Sequence, residues 1–354
     1  MAGEKALHIS LPDEINIGTR HILLHITTPQ TLHTELNRLI TARLPFALPP
    51  LAADPTLYRT GLLHFAHIYL TFESLWTDLL PPSSPTGASS PPISPLLSFL
   101  LVNPYSEPEL FTSPPPPHII EFLQALRPKG LARSGRLKKD LEYLSGLHPT
   151  DFDVMLSQYP GDQVAEFCAH IRRRVGSKPH VLVAYAWCFY MAVFSGGRWI
   201  RSELLKAGND FWTQTREGAE KSTEGEIRLQ DRGLSFWSFP GQHDGLDIKE
   251  AFKSRLRSAE ALFTPEERID IVEEAKIIFK LSANLVHELD KQLGTDLERL
   301  KHGTAAEHAQ APADSLVTPT KAGVVGTWLH RPEVSGAILA LGCVACVAFL
   351  RLGV

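Results

Sequence analysis

Cysteine is scarce in this chain of 354 residues, which has four. Cys168 and Cys188 fall within apolar helical patterns, Cys343 and Cys346 within a C-terminal hydrophobic run, and none has the spacing of a zinc pair matched by a second pair. They read as small hydrophobes of a reducing compartment, which excludes a disulfide-stapled secreted domain. The opening MAGEKALHISLPDEIN mixes charges and has no apolar core, so no signal peptide is expected and the domain is placed in the cytosol. Charge of one sign is not in excess. The net charge is −4, the pI near 6.4 and the 15 histidines are dispersed, which gives no reason to expect a nucleic-acid partner.

Period-two alternation is almost missing as well, which excludes a sheet-based fold and leaves an all-α one. Helices are predicted from Thr28-Pro29, a capping residue and a first-turn proline, to Leu44, and then over Pro55–Leu80, His118–Leu126 and Arg136–Leu147. Four more follow at Pro160–Val175, Pro179–Ala207, Ile248–Phe263 and Pro265–Gln292. A Pro/Ser-rich insertion at about 80–117 cannot continue a helix. The expected organisation is an N-terminal extension (1–27), one helical domain (28–292), a flexible linker (293–332) and a membrane tail (333–351).

The tail rests on Val334–Leu350, VSGAILALGCVACVAFL, an uncharged run of 17 residues. About 17 to 25 such residues span a bilayer. The Ala/Gly/Thr/Pro-rich linker separates this run from any core it could enter. A tail-anchored, single-pass arrangement is expected, with the endoplasmic reticulum or the mitochondrial outer membrane as its seat.

The helical run around Val181–Ile200 carries Ser195-Gly196-Gly197, where each glycine costs roughly 1 kcal/mol relative to alanine. Close approach of the backbone to a flat ligand or a second helix, or a bend that makes room for either, offsets that cost.

Several segments, in one order, resemble the haem oxygenase family: LHTELNRLI (Leu32–Ile40), FAHIYLTFESLW (Phe65–Trp76), LVAYAWCFYMAVFSGGRWI (Leu182–Ile200), GLSFWSFPG (Gly233–Gly241), IKEAFKSRLRS (Ile248–Ser258) and EEAKIIFKLSANLVHEL (Glu273–Leu289). The resemblance implies a haem oxygenase-like helical bundle with a C-terminal transmembrane helix. It also implies haem as substrate and cofactor, O₂, and electrons from NADPH through a separate reductase of the NADPH-cytochrome P450 reductase type, which favours the endoplasmic reticulum. The family's products are biliverdin, CO and iron.

Residue by residue, the resemblance places His33 as the axial iron ligand, with His25 and His21 as rivals. Ser195, Gly196 and Gly197 lie along the distal face, and Phe279 and Val193 border the haem. Lys249 and Lys253, four apart and continued by Arg257, are placed opposite the propionates. The family's distal water network is organised by an aspartate two residues before the serine, where this chain has Val193. Ala192, Phe189 and Trp187 stand where the family has glycine, arginine and tyrosine. An isopropyl group makes no hydrogen bond, so Ser195, Tyr185 or Tyr190 would have to order the water. Three functions remain open: haem cleavage, haem carriage or sensing without cleavage, and a helical interaction protein without haem.

Overall fold

The computed structural model describes residues 9–20, 32–80, 116–213, 229–239 and 241–294. All belong to one compact unit, Met1–Thr295; a second, Asp296–Val354, lies outside the described residues, as do the hydrophobic run 334–350, the insertion from 81 to 115, His21 and His25.

Among the described residues the regular elements are all helical. They are α1 (Leu11–Arg20), α2 (Leu32–Arg43), α3 (Thr56–Asp78), α4 (Pro117–Leu126), α5 (Ser134–Ser145), α6 (Pro149–Ser157), α7 (Asp162–Ser177), α8 (Leu182–Phe194), α9 (Gly196–Lys206), α10 (Asn209–Thr213), α11 (Leu246–Ala259) and α12 (Pro265–Leu293). In α3 the apolar side chains of Leu62, Ala66, Tyr69, Phe72 and Trp76 recur three or four residues apart and are buried against α5, α7 and α8. Helix α8 is buried from Leu182 through Trp187 and again at Phe189 and Tyr190; a helix that is apolar nearly all round belongs inside. Helix α12 starts with a capping box, Thr264 with Glu267, has Pro265 in its first turn, and ends at Gly294 with a left-handed φ of 58°. Its buried stripe of Ile271, Ala275, Ile278 and Leu285 serves a helix that packs on α1, α2, α7 and α8.

The structure departs from the sequence expectation in four places, one of them the short helix α10. The single helix expected over Pro179–Ala207 is a 3₁₀ turn, Pro179–Val181, followed by α8 and α9, with a bend of 42° at Ser195. Two glycines after a serine are weak helix formers, and the chain bends there. Helix α1 lies in the stretch expected as an extension. Its Leu11 and Ile15, one turn apart, are buried, and the Leu11 amide donates to Glu260 Oε2 at 2.8 Å. Helix α6 follows Pro149, with only Phe152 and Leu156 buried. Among the described residues no single helix is long and apolar enough to cross a membrane; the bent α8–α9 pair passes on length and composition, and its α8 half is core.

Buried carboxylates tie the helices together. Glu73 of α3 accepts from the Arg133 amide (2.8 Å), the Ser134 amide (3.0 Å) and the Tyr190 hydroxyl (2.9 Å). Arg133 donates to the carbonyls of Phe236 and Ser238 and lies over the Phe239 ring at 4.1 Å. Asp140 of α5 accepts from the amides of Gly233 and Phe236 and from the Ser235 hydroxyl, so the 229–239 segment is fastened to the bundle. Burial alone would raise the Glu274 carboxyl, but hydrogen bonds from His170, Tyr185 and Arg174 outweigh it and hold that carboxyl below its ordinary value.

His67 of α3 has no exposed surface and no hydrogen-bond partner for either ring nitrogen. Burial, reinforced by His64 and Arg172, drives its pKa down to about 4. The unfolded imidazole takes up its proton near pH 6.5, well before the folded one. Stability is therefore unaffected by His67 above that pH and falls as pH drops from 6.5 toward 4, by about 3 kcal/mol in full. Urea titrations at pH 7.5 and 4.5 should show this loss, and His67→Phe should remove most of it.

Candidate functional site

His33 sits in the first turn of α2 on an exposed face. Helix α2 is held to α12 by the buried Leu39 and by Arg43, whose guanidinium grips both carboxylate oxygens of Asp290. Phe279 of α12 meets the His33 ring at a centroid distance of 5.7 Å, tilted by 58°. The same α12 packs on α8, so it joins the helix of His33 to the helix that leads into Ser195.

The two glycines after Ser195 have different environments. A Cβ on Gly197 would lie 2.9 Å from Cε3 of Trp237, whose indole N–H donates to the Tyr58 hydroxyl at 2.8 Å. Gly197 is thus required by internal packing. Among the described residues a Cβ on Gly196 would meet nothing within 4 Å. Ala192, Ser195 and Trp199, the neighbours of Gly196 on that side of the bent pair, are all exposed. Among the described residues no side-chain contact requires a glycine at 196, and the backbone there is open.

Val193 does not share that face: it is 2% exposed and belongs to the core. Phe189 is turned inward too, edge-on to Tyr69 at 5.2 Å and stacked on Phe72 at 5.7 Å. The hydroxyls of Tyr185 and Tyr190 are bound to Glu274 and Glu73, and burial raises both phenols far above their ordinary range. Of the three hydroxyls weighed from sequence, Ser195 alone is exposed.

Helix α11 presents Lys249 and Lys253, both half-buried, while Ile248, Phe252 and Leu256 face inward. Phe252 stacks on Trp187 of α8 at 6.3 Å, which sets α11 beside α8. Lys253 also lies 3.4 Å from Glu250. Ahead of α11, Arg198 and Arg201 of α9 both reach Asp244, and this pairing, Arg201 foremost, holds that carboxyl below its ordinary value. Sequence reasoning gave no role to Trp237, Tyr58 or Trp199. The first two come together only across the fold, whereas Trp199, two residues past the glycine pair, was visible as an aromatic at helical spacing from Gly196.

Among the described residues no three His, Cys, Asp or Glu side chains are grouped to hold a metal ion. An imidazole beside an aromatic ring, an open stretch of backbone and two half-buried cations have the chemistry to hold a flat, dianionic macrocycle that carries its own metal.

Residues 120–288 match the Heme oxygenase family profile. Similar proteins include Heme oxygenase 1 of Homo sapiens, 27% identical over 175 residues, which are 49% of this chain and 52% of that protein. This chain therefore spans about half the length of the first such relatives. Heme-binding protein HMX1 of Saccharomyces cerevisiae is 22% identical over 295 residues, 81% of this chain and 80% of its own. Among solved structures, heme oxygenase 2 from Chlamydomonas reinhardtii without heme superposes with a TM-score of 0.54 at 15% identity, covering 79% of this chain and 98% of its own. Heme oxygenase-2 from Synechocystis in complex with heme and NO gives 0.52 at 18% identity, with coverage of 87% and 95%. At those identities the structures attest the fold.

Proposed function

We propose that this chain, a member of the haem oxygenase family, binds haem between α2 and the α8–α9 bend and opens the ring to biliverdin, CO and iron, with electrons from an NADPH-dependent reductase. The observation that carries the proposal is Gly196, a helical glycine whose Cβ position meets no atom within 4 Å among the described residues.

Haem, when bound, would supply the iron that activates O₂ and the ring that is cleaved. His33 would hold the iron, and Phe279 limits the rotation of the imidazole. Gly196 and Ala192 would let the α8–α9 backbone approach the ring. Lys249 and Lys253 meet the propionates, each contact being worth about 1.5 to 3 kcal/mol where shielded. Ser195 Oγ is the hydroxyl able to hold a distal water, in place of the family's aspartate. A membrane tail at 333–351 would keep the domain beside a membrane-bound reductase at the endoplasmic reticulum.

A second reading, haem carriage or sensing without cleavage, is favoured by the burial of Val193 and Phe189 where the family carries polar groups. The two separate in one assay. Full-length protein with hemin, NADPH, NADPH-cytochrome P450 reductase and O₂ is expected to form bilin slowly. Ser195→Ala should lower the rate at least about tenfold. A clean haem spectrum without bilin from wild type would leave carriage or sensing as the function.

A further inference from the structure

The open face of the α8–α9 pair has a step in it. Ala192, Ser195 and Gly196 form a low floor, and Trp199, three residues past Gly196 and four past Ser195, stands above it with 42% of its surface exposed. The other side of α9 is committed to the fold: Gly197 packs on Trp237, Leu204 is buried, and Arg198 and Arg201 reach Asp244. One turn beyond Trp199, Glu203 and Lys206 pair at 2.7 Å and close the face with charge. An indole left in water between a small-residue floor and an ion pair adds nothing visible to the core, while it offers a large rigid apolar wall at the edge of the floor.

We infer that Trp199 is the wall against which one apolar edge of the tetrapyrrole rests, and that it selects one of the two flip-related seatings of the ring. This rests on the proposed haem site and adds a specificity-determining contact to it. The propionate edge is drawn toward Lys249 and Lys253 of α11. Cations alone do not distinguish the two orientations that protoporphyrin adopts by flipping about the axis between its propionates, because both keep the propionates in place. They differ in where the vinyl and methyl groups lie, and a rigid indole on one flank makes those positions unequal.

The test uses the full-length chain, hemin and three proteins: wild type, Trp199→Ala and Trp199→Phe. Hemin affinity is followed by absorbance, orientation by the paramagnetically shifted methyl resonances of the cyanide adduct, and haem-free stability by urea unfolding. Wild type should show one dominant set of methyl signals. Trp199→Ala should weaken hemin binding about tenfold and show two comparable sets, and Trp199→Phe should recover most of both. Haem-free stability should be the same for all three. If wild type binds hemin and Trp199→Ala matches it in affinity and methyl pattern, the wall is refuted and the haem site stands. A large loss of haem-free stability in Trp199→Ala would make the indole a packing residue and refute it too. Failure of wild type to bind hemin at all would overturn the proposed site and the wall with it.

Discussion

Replacing His33 by Ala should abolish the six-coordinate ferric haem spectrum of the full-length protein, and added imidazole should restore it. The substitution removes the axial nitrogen but leaves Phe279, Leu39 and the Arg43–Asp290 pair that position α2. An exposed side chain in a first helical turn contributes little to folding, so haem-free unfolding should change by no more than about 0.5 kcal/mol. His25→Ala is the control. A lost spectrum in that variant and an intact one in His33→Ala would transfer the role to His25.

Replacing Glu73 by Ala should destabilise the protein by about 3 to 5 kcal/mol, the range found when one partner of a buried charged network is removed. Three donors lose their acceptor: the amides of Arg133 and Ser134 and the Tyr190 hydroxyl. Burial has already pulled the Arg133 guanidinium down to about 10, and Glu73 is among the groups that counter this effect. Because Arg133 also holds the carbonyls of Phe236 and Ser238, the segment that packs Trp237 on Gly197 should loosen with it. Urea denaturation measures the loss, and Glu73→Gln, which keeps an acceptor, should lose less. A cost below about 1 kcal/mol for Glu73→Ala would show that the network is not a structural hub.

The long helices were legible because burial there follows a period. Leu62, Ala66, Tyr69, Phe72 and Trp76 in α3, and Ile271, Ala275, Ile278 and Leu285 in α12, repeat at three or four residues, and proline and threonine mark the start of α12. Helices α1 and α6 were not, since Leu11 with Ile15 and Phe152 with Leu156 give one repeat each, too little to separate from chance. The Ser195-Gly196-Gly197 anomaly was readable as a cost, but not the division of labour between its glycines. Gly197 answers to Trp237, some forty residues on in sequence, and Gly196 meets no residue within 4 Å among those described. The fates of Tyr185 and Tyr190 were hidden for the same reason: their acceptors, Glu274 and Glu73, come from other helices. That Val193 stands where the resembled family has an aspartate was plain from sequence, whereas the inward packing of that residue was not.

The account is tested most directly at Gly196. Its backbone is helical and its Cβ position is open, so Gly196→Val should fold as well as wild type, and Gly196→Ala should gain up to about 1 kcal/mol. A ring lying on that backbone has no room for the added methyl groups. Titration of the full-length proteins with hemin should therefore show an ordinary haem complex for wild type, with affinity at least about tenfold weaker in Gly196→Ala and weaker still in Gly196→Val at undiminished haem-free stability. Hemin binding by Gly196→Val with wild-type affinity and spectrum would contradict the placement of haem on the α8–α9 bend.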